Sequence, residues 1–125
     1  MKENEITYNI RGAAFKVYNV LGPGLLESVY ETALIYELKQ TGHEVKSQVT
    51  VPMIYADLKM DVGFRLDLLV DDLVIVEIKS VDALLDVHHK QLLTYLRLVN
   101  KKLGLLINFN TNSLKDSIIR IANNL

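Results

Sequence analysis

Apolar residues along the chain switch repeatedly between helical and strand spacing. Ile6, Ile10, Ala13, Ala14, Val17 and Leu21 recur three or four apart, which predicts an amphipathic helix over residues 4–20. Gly22-Pro23-Gly24 interrupts it, with Gly22 suited to end one helix and Pro23 to begin the next. That second helix is expected to run to about Gln40, before Thr41-Gly42. From Glu44 the pattern becomes alternating. Val45, Ser47, Val49 and Val51 are expected to share one strand face, and Pro52 to break the ladder or mark an edge. Met53 to Leu58 then reads as a short further strand.

Leu66 to Ser80, LDLLVDDLVIVEIKS, reads as two apolar strands joined at Asp71-Asp72. A helix over Val87 to Asn100 follows, then an almost wholly apolar and therefore interior strand, Leu103 to Phe109. Ser113 is placed to cap a final helix with Leu114, Ile118 and Ile119 facing inward. The order α-α-β-β-β-β-α-β-α predicts an α/β (α+β) fold, a mixed central sheet flanked by helices on both faces.

Composition narrows the class only a little. A chain of 125 residues fits one domain over 1–125, and 50% hydrophobic with 23% charged residues is ordinary for a globular protein. A net charge of -1 argues against a strong, unspecific nucleic-acid binder but leaves room for a local basic patch. With no cysteine there are no disulfides or thiolate metal sites. The segment MKENEITYNI has no signal-peptide core and no apolar run approaches a membrane span, so the expectation is a cytoplasmic protein with no membrane partner.

The charges in the hairpin are what call for chemistry. Leu68, Val70, Val74, Val76 and Ile78 are all even-numbered and apolar, whereas Asp67, Glu77 and Lys79 are odd. A two-residue turn at Asp71-Asp72 would set Asp67 opposite Val76. A three-residue connection or bulge over 71–73 instead pairs 67 with 77 and gathers the three charged residues on one face, and this register is the expected one. Two carboxylates directly across a ladder lie about 5 Å apart at Cβ and raise one another's pKa. A divalent cation relieves that conflict, and hard oxygen ligands suit Mg²⁺. The alternative is a simple salt bridge between Lys79 and one of the acids.

Asp67 followed by Glu77-Ile78-Lys79 resembles the active-site signature of the PD-(D/E)XK nuclease superfamily. Gln91-Leu92-Leu93-Thr94-Tyr95 is similar to the Q-x-x-x-Y helix motif of its RecB-like branch. Gly24 to Tyr30, GLLESVY, matches the motif of the small GxxExxY protein family, and the strand Gly104 to Phe109 is also similar to that subgroup. Leu66 stands where the superfamily's nominal proline would be.

The resemblance implies a restriction-endonuclease-like core and a metal-dependent phosphodiesterase acting on nucleic acid, DNA in the first instance. Asp67 and Glu77 would bind Mg²⁺ or Mn²⁺, with the Ile78 carbonyl as a further ligand. Lys79 would activate the attacking water, and Glu27 would complete the site directly or through water. Gln91 and Tyr95, four apart on one helix face, could reach the same site. A structural reading stands beside each: Glu27 as a first-turn acid at a helix N-terminus, and Tyr30 as a half-buried core residue rather than a clamp on Glu27. Lys90, Arg97 and Lys101, with Lys102 beside Gln91 and Tyr95, offer a strip for phosphate contact or simply a solvated face. His88 and His89 read as capping or surface residues, and His43 receives no role. The alternative to a nuclease is a nuclease-like fold that binds nucleic acid or protein without cutting. A homodimer is an open possibility, since so small a core would need two copies to cut both strands.

Overall fold

The computed structural model describes residues 2–124. Helices α1 (Lys2–Leu21) and α2 (Glu27–Gln40) come first, followed by strands β1 (Val45–Tyr55), β2 (Leu58–Val70) and β3 (Val74–Lys79). Helix α3 (Asp86–Val99) leads into β4 (Leu103–Asn108), a single 3₁₀ turn (Leu114–Ser117) and β5 (Ile118–Ala122). The described residues thus make an α+β fold, with three α-helices and a five-stranded mixed sheet. Strand order is β1-β2-β3-β4-β5, antiparallel except for the β3–β4 pair, whose parallel connection is made by α3.

Two expectations on element order are corrected. Residues 45–70 form one long hairpin, so Met53 to Leu58 is not a separate strand. The ladder runs on past Pro52 with a bulge before Ile54, and the turn falls at Ala56-Asp57. The C-terminal segment is not a helix: only one 3₁₀ turn forms before β5 pairs antiparallel with β4. Ile118 then faces one side of the sheet and Ile119 and Ile121 the other, as strand alternation requires.

Each face carries its own core. Ile6, Ile10, Ala14 and Val17 of α1 and Tyr30, Leu34 and Leu38 of α2 pack on Leu68, Val70, Val74, Val76 and Ile78. On the opposite face Leu92 and Leu96 of α3 cover Leu66, Leu69, Ile75 and Leu106. Each of these valines, leucines and isoleucines, fully removed from water, contributes roughly 1.5–3 kcal/mol. Gly104 lets α3 come close, since an added Cβ would stand 3.2 Å from both the Ile75 carbonyl oxygen and the Leu92 side chain. Beyond Phe64 the β1–β2 hairpin leaves the body, and Ile54, Tyr55, Leu58 and Val62 are exposed on it.

The strands turn over at Asp67. Leu66 packs under α3 but Leu68 under α1 and α2, although residues two apart in a regular strand share a face. Beside them β1 does the same: Val45 packs with the α1/α2 core, and Val49 and Val51 with the α3 core. The expected common face for Val45, Val49 and Val51 is therefore corrected. Ladder pairing lapses between Ser47↔Leu68 and Val49↔Leu66, where Gln48 takes a φ of 51° and its amide reaches the Glu31 carboxylate at 2.9 Å.

Candidate functional site

The β2–β3 turn has three residues. Val70 pairs with Val74 and Leu68 with Val76, while Asp71 and Asp72 adopt left-handed φ values of 52° and 58°. This is the register that sets Asp67 opposite Glu77. Asp71 is held by Glu44 N–H at 2.9 Å and by His43 Nδ1 at 2.6 Å, and Asn9 Nδ2 lies 3.2 Å from His43 Nε2. His43, given no role from its sequence context, thus anchors the turn; only its distance along the chain from Asp71 and Asn9 hid it.

Past Leu68 and Val76 the backbone pairing gives way to side chains. The Asp67 carboxylate accepts the Ile78 N–H at 2.8 Å, and the Glu77 carboxylate accepts the Asp67 N–H at 3.4 Å. Asp67 is half-buried and Glu77 buried. Burial above all, then the charge and hydrogen-bonding of Asp67, push the Glu77 carboxyl up to about 8; Asp67 N–H and the Lys79 charge oppose this without reversing it. Lys79, half-buried two residues on, forms no ion pair among the described residues. The simple salt bridge between Lys79 and an acid is therefore not what the fold builds.

Tyr95 stands over this pair from α3. Its ring stacks on Phe64 at 4.4 Å between centroids, and its hydroxyl is shifted up by burial and then by the Glu77 and Asp67 charges. Gln91, one turn earlier, is exposed. Glu27 approaches from the other side, where its carboxylate accepts the Ser80 N–H at 3.2 Å and Ser80 Oγ donates to the Leu25 carbonyl at 2.6 Å. The start of α2 is thereby stitched to the end of the strand that carries Glu77 and Lys79. Tyr30 does not clamp Glu27: its hydroxyl donates to Gly22 O at 2.6 Å and accepts Leu25 N–H at 3.1 Å, while its ring stacks on Phe109. It closes the loop whose Gly22 and Gly24 have φ values of 69° and 95°.

Among the described residues no three acidic or histidine side chains converge tightly enough to hold a metal ion by themselves. Two carboxylates, with a backbone carbonyl and solvent to complete the set, would nevertheless give oxygen donors that fit Mg²⁺, and a bound cation would lower the Glu77 pKa that burial first and the Asp67 charge second raise.

The basic strip is not continuous. Lys90 pairs with Asp86 at 3.1 Å and Lys101 with Asp72 at 3.5 Å. Lys101 and Lys102 lie beyond α3, which Asn100 ends in a left-handed conformation. Arg97 and Lys102 are exposed. His88 Nδ1 accepts the Leu85 N–H and His89 Nδ1 donates to the Leu85 carbonyl, so both act at the start of α3.

A family model for the PD-(D/E)XK nuclease superfamily matches residues 4–121. No curated protein and no solved structure gives a significant match. Among the described residues, no helix is long and apolar enough to cross a membrane.

Proposed function

Since the chain belongs to the PD-(D/E)XK nuclease superfamily, we propose that it is a Mg²⁺- or Mn²⁺-dependent phosphodiesterase that cuts nucleic acid, DNA in the first instance, within one domain spanning 1–125. The motif Gly24 to Tyr30 and the Gln91–Tyr95 spacing favour the GxxExxY, RecB-like branch. The carrying observation is the meeting of Asp67 and Glu77 with Glu77 buried and its pKa raised, beside a Lys79 that forms no ion pair among the described residues.

In this reading Asp67, Glu77 and the Ile78 carbonyl would hold the cation, and Glu27 would complete the set through water. A bound cation supplies Lewis-acid polarisation of the phosphate and lowers the pKa of water. Asp67 and Glu77 fix where it sits, and Glu77 must give up its proton to take part. Lys79 orients the attacking water and offsets the negative charge that develops on the phosphate oxygens. Tyr95, with Gln91 on the same helix face, bounds the site on the α3 side. Arg97 and Lys102 are the better candidates for backbone phosphates than the paired Lys90 and Lys101. A module that binds without cutting could use Lys79 on a phosphate but would gain nothing from a buried Glu77 with a raised pKa beside Asp67, so cutting is favoured. The proposed setting is the cytoplasm, with two copies engaged where both strands of a duplex are cut.

The test is a cleavage screen over single-stranded, duplex and branched DNA and over RNA with Mg²⁺ or Mn²⁺. Lys79→Ala is expected to lower the rate by about 10²–10³-fold. Cleavage by the wild type that Lys79→Ala leaves untouched would point to a contaminant and reject the assignment, as would no cleavage of any substrate.

A further inference from the structure

The carboxyl ends of β3 and β4 open onto a cavity of about 740 Å³, within the range of small-molecule sites. It begins one strand away from the candidate metal centre. Asn108 is the ladder partner of Lys79, and Phe109 N–H donates to Lys79 O at 3.0 Å, so the cavity wall lies about 5 Å from the strand bearing Glu77 and Lys79. That wall is built in advance. The buried Asn108 side chain accepts the N–H groups of Val81 and Asn110 at 3.1 and 3.2 Å and donates to Val81 O at 2.9 Å, tying together the two loops that frame the opening.

The lining decides what can enter. No lysine or arginine lines the cavity, while Asp82 and Asp116 do, so a phosphate inside would meet like charge. A phosphate is better placed at the mouth, by Lys79. Inside, Asn110 and Asn112 each bring an amide that both donates and accepts, and neither side chain makes a hydrogen bond among the described residues. His89 and Leu84 supply flatter, less polar wall. Amides and carboxylate acceptors around such a wall complement a nucleobase, whose edge both donates and accepts and whose faces are apolar. A base held in a duplex stack cannot reach the cavity without leaving the stack.

We propose that this cavity takes one unpaired nucleoside beside the scissile phosphate, so that the site acts on a single strand, a frayed end or an extruded nucleotide. The proposal rests on the nuclease reading for the word scissile, but not for the binding itself.

The test uses Lys79→Ala protein, in which cutting is slowed about 10²–10³-fold, and a fluorescein-labelled DNA 12-mer offered single-stranded or as a blunt duplex, read by anisotropy with Mn²⁺ present before cleavage accumulates. The single strand is expected to bind about tenfold more tightly than the duplex. Ala83→Phe fills the cavity from an exposed position, and Asn110→Ala with Asn112→Ala strips its amides. Each is expected to weaken single-strand binding about fivefold or more and to leave duplex binding within about twofold. Equal binding of the two DNAs, no binding of either, or single-strand binding indifferent to both variants overturns the proposal. Metal-dependent cleavage by the wild type is scored separately. If it persists while the cavity variants change nothing, the cavity reading fails and the nuclease reading stands. If it is absent while single-strand binding depends on the cavity, the converse holds.

Discussion

Asp67 and Glu77 meet at the open end of the β2–β3 hairpin, each carboxylate accepting a backbone N–H from the opposite strand. Among the described residues neither acid forms an ion pair, and burial together with the Asp67 charge raises Glu77 to about 8. Millimolar Mg²⁺ or Mn²⁺ is therefore expected to raise the thermal midpoint. Free metal at a hundred times its Kd contributes about 2.7 kcal/mol. The shift should be larger above pH 8 than at pH 6, because binding must expel the Glu77 proton. Differential scanning fluorimetry with Asp67→Asn as control reads this directly, and a wild-type midpoint blind to both metals removes the centre.

The same group makes the metal-free chain sensitive to pH. The folded pKa of Glu77, about 8, lies above its ordinary 4.5. The stability it contributes is thus fully present below 4.5 and lost as pH rises toward 8, at up to about 1.4 kcal/mol per pH unit. Urea unfolding in a chelator should show stability falling over that window, and Glu77→Gln should flatten the slope. An unchanged slope in the variant would assign the loss to another group.

These two predictions rest on a register legible before the structure. Only a three-residue turn keeps Leu68, Val70, Val74, Val76 and Ile78 on one dry face, and any other choice buries charge or exposes the apolar set. Parity has no such force at the C-terminus. Leu114 and Ile118 fit a helix, Ile119 and Ile121 fit a strand, and five residues are too few to arbitrate. The free edge of β4 decides it. The reversal of faces at Asp67 was equally hidden, since nothing local demands a positive φ at Gln48, and its Glu31 partner comes from α2. The cavity was illegible for the same reason, being assembled from segments that meet only at the ends of β3 and β4.

Asp71 gives a third prediction, at the opposite end of the hairpin. Burial alone would raise its pKa, but the His43 hydrogen bond, the Glu44 N–H and the charges of His43 and Lys2 outweigh burial and hold it below the ordinary carboxylate value of 3.8. A depressed carboxylate stabilises the fold above its unfolded pKa, and the effect is lost as pH falls through the folded value. Asp71→Asn should therefore be less stable than wild type near neutral pH, and the gap should narrow in acid. A gap that stays constant down to the lowest pH would mean that the turn geometry, not the charge, is what the variant disturbs.

Glu27 and Tyr30 belong to one motif but are expected to fail differently. The Tyr30 hydroxyl serves Gly22 O and Leu25 N–H in part-buried hydrogen bonds, so Tyr30→Phe leaves both without that partner while keeping the Phe109 stack. Its cost should be about 1–3 kcal/mol of stability. Glu27 is exposed, and an amide oxygen could still accept the Ser80 N–H, so Glu27→Gln should leave stability within about 0.5 kcal/mol of wild type. Its effect should fall on the metal instead, weakening Mn²⁺ binding about 10–100-fold if the carboxylate completes the centre through water. Paired urea titrations and Mn²⁺ titrations separate the two roles. Should Glu27→Gln lose stability and keep its metal affinity, the acid would be only a stitch between α2 and β3, and the centre would consist of Asp67, Glu77 and backbone alone.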